Sequence, residues 1–292
     1  MENFKKYIIL WLSQSVSQLG SSMTSFALVL WAYERSRSAL SVSLLSFCNY
    51  VPYILVSMFA GAFVDRHRKK TIMLVADSVA AAGTVIVFVL LAAGRLEIRN
   101  IYIINLVIGI TTAFQQPASS VAMGRLVPAD KISNVSGMNS FSQNLIVVFS
   151  PMFAASFYAA GGLSLILLID LASFMMAFCV LLFFIRIPEQ FGEKKYQRPF
   201  AGTVEGFVFL KREKGIFYIM LTMALINFFS RLTYENILSP MILARSGGSS
   251  LTLGTVNACM GIGGMAGGII VSVKKESRHK AEAIYVSAAL SF

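Results

Sequence analysis

The sequence predicts an all-α polytopic membrane protein, and three observations carry that prediction. Of the 292 residues, 56% are hydrophobic and 13% charged, with a mean hydropathy of +0.70. Soluble domains carry about 25% charged residues, so this chain has too little polar surface for water. Apolar stretches recur along it, each reaching the roughly 20 residues that a helix needs to cross a bilayer. Nineteen of the 25 Lys and Arg residues fall on alternate loops. That is the positive-inside pattern, with the N-terminus on the cytoplasmic side of a cell membrane. The net charge of +11 is thus an orientation signal, helped by anionic lipid, and nucleic acid is not an expected partner.

The first predicted span, near 8–32, follows Lys5 and Lys6. It is too long for a signal peptide and has no small-residue cleavage site, so it is expected to stay as the first crossing. Spans two and three, 40–64 and 71–94, flank the turn from Gly61 to Lys70, which holds Arg66, Arg68, Lys69 and Lys70. Span four is read at 100–124, span five at 135–160 and span six at 163–186. Pro52, Pro117 and Pro151 lie inside spans and should kink them. The polar stretch 187–215, with Pro188 and Pro199, is the one credible linker. Span seven follows at 216–241 and span eight at 249–273, where Gly263/Gly267 and Gly264/Gly268 suit close helix packing. A ninth begins near 281. Cys48, Cys179 and Cys259 all fall in apolar spans and read as small buried hydrophobes.

These spans divide the chain into an N-terminal six-helix bundle, 1–186, a cytoplasmic linker, 187–215, and an incomplete C-terminal bundle, 216–292. Spans one and seven begin about 200 residues apart, as do the basic turns that follow spans two and eight. Two parallel halves of that length make a transporter architecture of about twelve spans. The chain is therefore expected to be a fragment or a truncated product.

Polar residues inside the spans form stripes at helical spacing. They are Gln14, Gln18, Ser22 and Ser25 in span one, and Thr112, Gln115, Gln116, Ser119 and Ser120 in span four. Span seven repeats the pattern with Asn227, Ser230, Arg231, Tyr234 and Glu235. Polar groups avoid lipid, so each stripe faces protein or water. Spans one, four and seven are spaced by three, which suggests a shared cavity; helix–helix hydrogen bonding is the alternative. The substrate-binding candidates are Gln14, Gln18, Gln115, Asn227, Arg231 and Glu235. Arg231 and Glu235 are four apart and share a helix face. Asp170 and Glu235 are candidates for proton coupling, because a carboxyl inside a span can carry a proton. A structural hydrogen bond is the other reading of Asp170. Asp77 lies close to the basic turn and is placed with a cytoplasmic gate.

The turn Gly61-Ala-Phe-Val-Asp65-Arg66-His-Arg-Lys69-Lys70 resembles the signature between helices two and three of the major facilitator superfamily. Leu10-Trp-Leu-Ser-Gln14, Gln18-Leu-Gly20, Arg125-Leu-Val-Pro128, Leu168-Ile-Asp170-Leu-Ala-Ser-Phe174 and Glu205-Gly-Phe are similar to its drug:proton antiporter-3 branch, which includes macrolide and enterobactin exporters. The resemblance implies two six-helix bundles that rock about a central site. It also implies a cytoplasmic gate built from Gly61, Asp65, Arg66 and Lys69. Three features depart from the family pattern. Arg68 replaces a glycine, Ser150-Pro151 replaces Gly-Pro, and span four has no intramembrane Arg.

The expected function is secondary active export of amphipathic small molecules, of drug or macrolide type, by proton-coupled alternating access. Export of one dedicated siderophore or metabolite, with Arg231 holding an anion, is the rival within transport. A truncated, non-transporting membrane chain is the rival from another class. No cofactor or metal is expected. The expected partners are the lipid bilayer, a small-molecule substrate and a proton. His67 and His279 lie in basic turns, and no nucleophile–base pair suggests an enzyme.

Overall fold

A computed structural model describes residues 2–127, 131–185 and 208–233, with isolated positions between 241 and 266. Within these the regular structure is helical. Helix α1 is Glu2–Ser36, α2 Ala39–Arg66, α3 Lys69–Ala92, α4 Ile98–Leu126 and α5 Ile132–Cys179. A π-turn, Val180–Phe184, continues α5, and α6 is Lys214–Thr233. Two compact units contain them: Met1–Val135 with Leu145–Thr203, and Ser136–Asn144 with Val204–Phe292.

The helices of the first unit end where local chemistry ends them. Only His67 and Arg68 separate α2 from α3, both with extended backbone. Gly94, at φ +67, closes α3 in the left-handed conformation that glycine tolerates. The expected break between spans five and six is a bend, not a loop. Helical hydrogen bonding resumes directly on both sides of it, while Gly162 turns the backbone out of the helix at φ 65 and ψ −165.

Among the described residues, four helical stretches are long and apolar enough to cross a membrane. They are Leu40–Arg66, Lys69–Ala92, Ile98–Leu126 and Asn134–Phe184, the last of 51 residues. At about 1.5 Å per residue that last stretch has the length of two crossings. Helix α1, expected as a span, is long enough at 35 residues but less apolar. Ser13, Gln14, Ser15, Ser17, Gln18, Ser21, Ser22, Thr24 and Ser25 dilute it.

The dry core of the first unit lies at the end away from the basic turn. Met23, Ala27, Leu28 and Ala32 of α1 meet Leu45, Val87, Leu96 and Ile101 there, with Ala154, Leu163, Ile166 and Leu167 of α5. Tyr158 donates to Glu34 Oε2 at 2.8 Å, and Tyr102 to the Ser41 carbonyl at 3.0 Å, at the same end. On the outer faces, large apolar groups such as Phe47, Ile54, Leu55, Met58 and Val89 are exposed, as lipid-facing side chains are. The same geometry corrects the reading of the cysteines: Cys48 and Cys179 are half-buried and Cys259 is exposed. An apolar residue of a membrane helix has no need to turn inward.

Candidate functional site

Two buried carboxyls organise the polar interior of the first unit. Asp170, on the second arm of α5, is 4% exposed. Ser21 donates to its Oδ1 at 3.0 Å, Thr24 to Oδ2 at 3.0 Å and Thr84 to Oδ2 at 3.2 Å. Two helices besides its own thus supply hydroxyl donors, α1 through Ser21 and Thr24 and α3 through Thr84. Gly20 makes the approach possible, since a Cβ there would stand 2.4 Å from Ser173 Oγ and 3.2 Å from Asp170 Cα.

Asp77, on α3, is 8% exposed. Gln115 of α4 donates to it through Nε2. The Gln14 amide of α1 is also close enough to act on this carboxyl. Its Nε2 nevertheless finds no partner of good hydrogen-bond geometry. Among the described residues, the buried side-chain nitrogens left without a partner are Gln14 Nε2 and Trp11 Nε1. They lie three residues apart on α1, on one face.

The two clusters keep one register. Gln14 and Asp77 differ by 63 positions, and so do Ser21 and Thr84. The clusters are therefore two rungs of a polar seam across α1 and α3, seven residues apart, or about 10 Å at helical rise.

The basic turn is braced by its own side chains. Lys69 is 1% exposed and donates to the Asp65 carbonyl at 3.0 Å. Lys70 donates to the carbonyls of Leu182 at 2.9 Å and Ile185 at 2.8 Å, the otherwise unpaired end of the π-turn. The His67 ring stacks on Phe63 with centroids 4.0 Å apart, and its Nδ1 donates to the Phe63 carbonyl at 2.8 Å. Gly61, Asp65 and Arg66 are exposed.

The structure thus joins three of the residues singled out in the sequence, Gln14, Gln115 and Asp77. The Asp77 side chain meets Gln115 rather than the turn. Gln18 is exposed on α1. Asn227, in the second unit, is exposed and donates to its own helix at Met223 O, 2.8 Å away. Glu235 and the side chain of Arg231 lie outside the described residues. Gln116 of the span-four stripe accepts from Tyr53 at 2.9 Å, a helix–helix bond between α2 and α4. Ser21, Thr24, Thr84 and Trp11 were missed. For Ser21 and Thr84 the signal is the offset of 63 that Gln14 and Asp77 also keep, which has meaning only once α1 and α3 are known to approach each other; no such offset marks Thr24 or Trp11.

Residues 10–292 match the sequence profile of the Major Facilitator Superfamily. The chain is 29% identical over 226 residues to macrolide efflux protein A of Streptococcus pyogenes, covering 76% of this chain and 55% of that protein. It is 32% identical over 196 residues to macrolide efflux protein A of Enterococcus faecalis, covering 66% and 59%. It is 28% identical over 233 residues to the uncharacterized MFS-type transporter YfiS of Bacillus subtilis, covering 77% and 54%. The chain spans somewhat over half the length of these relatives. A family profile matching nearly the whole sequence, on a helical chain with a polar seam inside apolar walls, makes this a multi-pass membrane protein of the Major Facilitator Superfamily.

Proposed function

We propose that this protein exports an amphipathic small molecule from the cytoplasm by alternating access, coupled to proton entry. The observation that carries the reading is the convergence of Gln14, Asp77 and Gln115 from three helices inside a unit whose outer faces are apolar. The macrolide efflux relatives support an export direction and a bulky, largely apolar substrate. In this reading the protein lies in the plasma membrane with its N-terminus in the cytoplasm, as the basic loops favour. The six N-terminal spans form one bundle, 187–215 is the cytoplasmic linker and 216–292 begins the second bundle.

Gln14, Gln18, Gln115, Asn227, Arg231 and Glu235 are the residues we assign to substrate binding. Asp170 and Glu235 are the carboxyls we assign to proton coupling. An ionised Asp170 accepts from all three hydroxyls around it. A protonated one carries a donor, so one of these hydroxyls must turn to accept from it. Proton arrival would thereby rearrange the hydrogen bonds that tie α1 and α3 to the second arm of α5. Gly61, Asp65, Arg66 and Lys69 would latch the cytoplasmic side, with charges that pair in one state and part in the other.

The test is uptake of a labelled macrolide into everted membrane vesicles. Accumulation should collapse when the proton gradient is dissipated. Accumulation indifferent to the gradient would remove the coupling, and no accumulation would remove export.

A further inference from the structure

The side-chain groups that α1 and α3 bring to the Asp170 carboxyl are all hydroxyls. Ser21 reaches Oδ1, and Thr24 and Thr84 both reach Oδ2. A hydroxyl has lone pairs as well as a proton, so it serves an anion or a cation according to how it turns. The amide nitrogens beside Asp77 have no such choice. Among the described residues no cation acts on Asp170. A buried carboxylate without a counter-ion is costly, and a proton or a bound cation removes that cost.

The spacing of the oxygens shows which cation fits. A hydroxyl bonded to a carboxylate closes to about 2.5–2.7 Å. Here the three separations are wider, at 3.0, 3.0 and 3.2 Å. Around a six-coordinate ion, adjacent oxygens stand about 1.4 times the ion–oxygen distance apart, or about 3.4 Å for an ion the size of Ca2+ and about 2.9 Å for one the size of Mg2+. Na+ and Li+ are the monovalent ions of those two sizes, and the observed separations lie between them. K+ is larger and needs a wider cage. One carboxylate balances one positive charge, whereas Ca2+ sites gather several carboxylates. Among the described residues, no three His, Cys, Asp or Glu side chains come together as a metal site. Thr84 is already placed to change roles. Its hydroxyl also lies 3.4 Å from the Ala80 carbonyl of its own helix, so its proton has another acceptor when its lone pair turns to an ion.

We propose that Asp170, Ser21, Thr24 and Thr84 form a binding site for a small monovalent cation, Na+ in the cell. The carboxylate and the three hydroxyls offer five oxygen ligands from α1, α3 and the second arm of α5. The bound ion ties these helices together through one charge. This goes beyond the export reading. The ion takes the place of the proton that reading assigns to Asp170, but its binding is measured without transport.

Thermal unfolding of the purified intact protein in detergent tests the site, in the chlorides of Na+, Li+, K+ and choline at one pH and one ionic strength. Na+ and Li+ should raise the midpoint saturably, by several degrees over choline, because an ion that binds only the folded state stabilises it. K+ should match choline. Asp170→Asn should abolish the difference between Na+ and choline. Thr84→Val should raise the Na+ concentration for half the effect by about tenfold, the low end of what lost groups around a metal cost, and Thr84→Ser should keep it. Equal midpoints in the four salts overturn the site. So does a Na+ effect that survives in Asp170→Asn, or a half-effect concentration that Thr84→Val leaves unchanged. If Asp170→Asn does not fold, the two Thr84 variants decide. A protein that binds Na+ but accumulates no macrolide in vesicles keeps the site and loses the export reading; the reverse result loses the site alone.

Discussion

Gly109 lies so close to Asn49 that a Cβ on it would stand 2.1 Å from the Asn49 carbonyl oxygen and 3.0 Å from the carbonyl carbon. No rotamer change can relieve a clash with backbone. At this point α2 and α4 touch main chain to main chain, the close approach that small residues permit in membrane helices. The same pair is laced further along by Tyr53 with Gln116 and by an edge-on contact of Phe63 with Phe114, centroids 5.3 Å apart. Gly109→Ala should therefore force the two helices apart and cost about 1–3 kcal/mol, as overpacking does. Thermal unfolding in detergent reads this directly. An unchanged midpoint would show that the two backbones do not meet here.

Gly20 poses a different case, because its nearest obstacle is a side chain. A Cβ at position 20 meets Ser173 Oγ at 2.4 Å, and Ser173 is held in place by its bond to the Asp170 carbonyl at 2.8 Å. Gly20→Ala should destabilise the protein. Ser173→Ala removes the obstructing oxygen and should restore most of the loss in the double variant. The coupling expected between contacting residues is about 0.5–3 kcal/mol. Additive losses from the two changes would mean that Ser173 is not what limits the space.

Much of this architecture was legible in the sequence, for a reason specific to membranes. Lipid forces a run of apolar residues for every crossing, and charge or, between spans five and six, a glycine pair closes the run. The turn at His67 and Arg68 and the bend at Gly162 both fall where composition changes. Helix ends overrun the apolar runs because hydrogen bonding carries a helix past the hydrocarbon: α2 runs to Arg66, beyond the expected 64. The stripes showed that Gln14 and Gln115 avoid lipid, but not what they meet. Whether Asp77 faces its own turn or the amide of Gln115 depends on the rotation of α3 against α4. One residue of register, about 100° on a helix, decides that. The hydroxyls around Asp170 were equally opaque, since Ser and Thr occur throughout α1 and only tertiary packing selects Ser21 and Thr24.

Lys70 offers a third measurable claim. Its ammonium group caps the carbonyls of Leu182 and Ile185, where the π-turn ends. Cations are favoured at helix C-termini, and a charged hydrogen bond there is worth about 1.5–3 kcal/mol when shielded. Lys70 is only half-buried, so solvent reduces that figure. Lys70→Met keeps the apolar stem and removes the donors. It should speed amide exchange at residues 181–185 by several-fold while leaving exchange in α2 and α4 unchanged. Equal exchange in the two proteins would show that the cap is not needed.

Orientation gives the last prediction, and two exposed positions at opposite ends of α3 decide it. His67 stands in the basic turn before the helix and Glu97 just beyond its far end, with side chains in the open. The 24 residues between Lys69 and Ala92 span about 36 Å, enough to cross a hydrocarbon core of about 30 Å. Single thiols at 67 and 97, in a chain freed of Cys48, Cys179 and Cys259, should thus report opposite faces of the membrane. An impermeant maleimide added to whole cells should modify position 97 and spare 67, and everted vesicles should reverse the result. The positive-inside rule fixes the sign, because the turn at 67 holds four Arg and Lys within five residues, while Arg95 and Arg99 at the far end are accompanied by Glu97. Labelling of both thiols from one side would mean that α3 does not cross, and the paired rungs at Asp77 and Thr84 could not then lie inside a membrane.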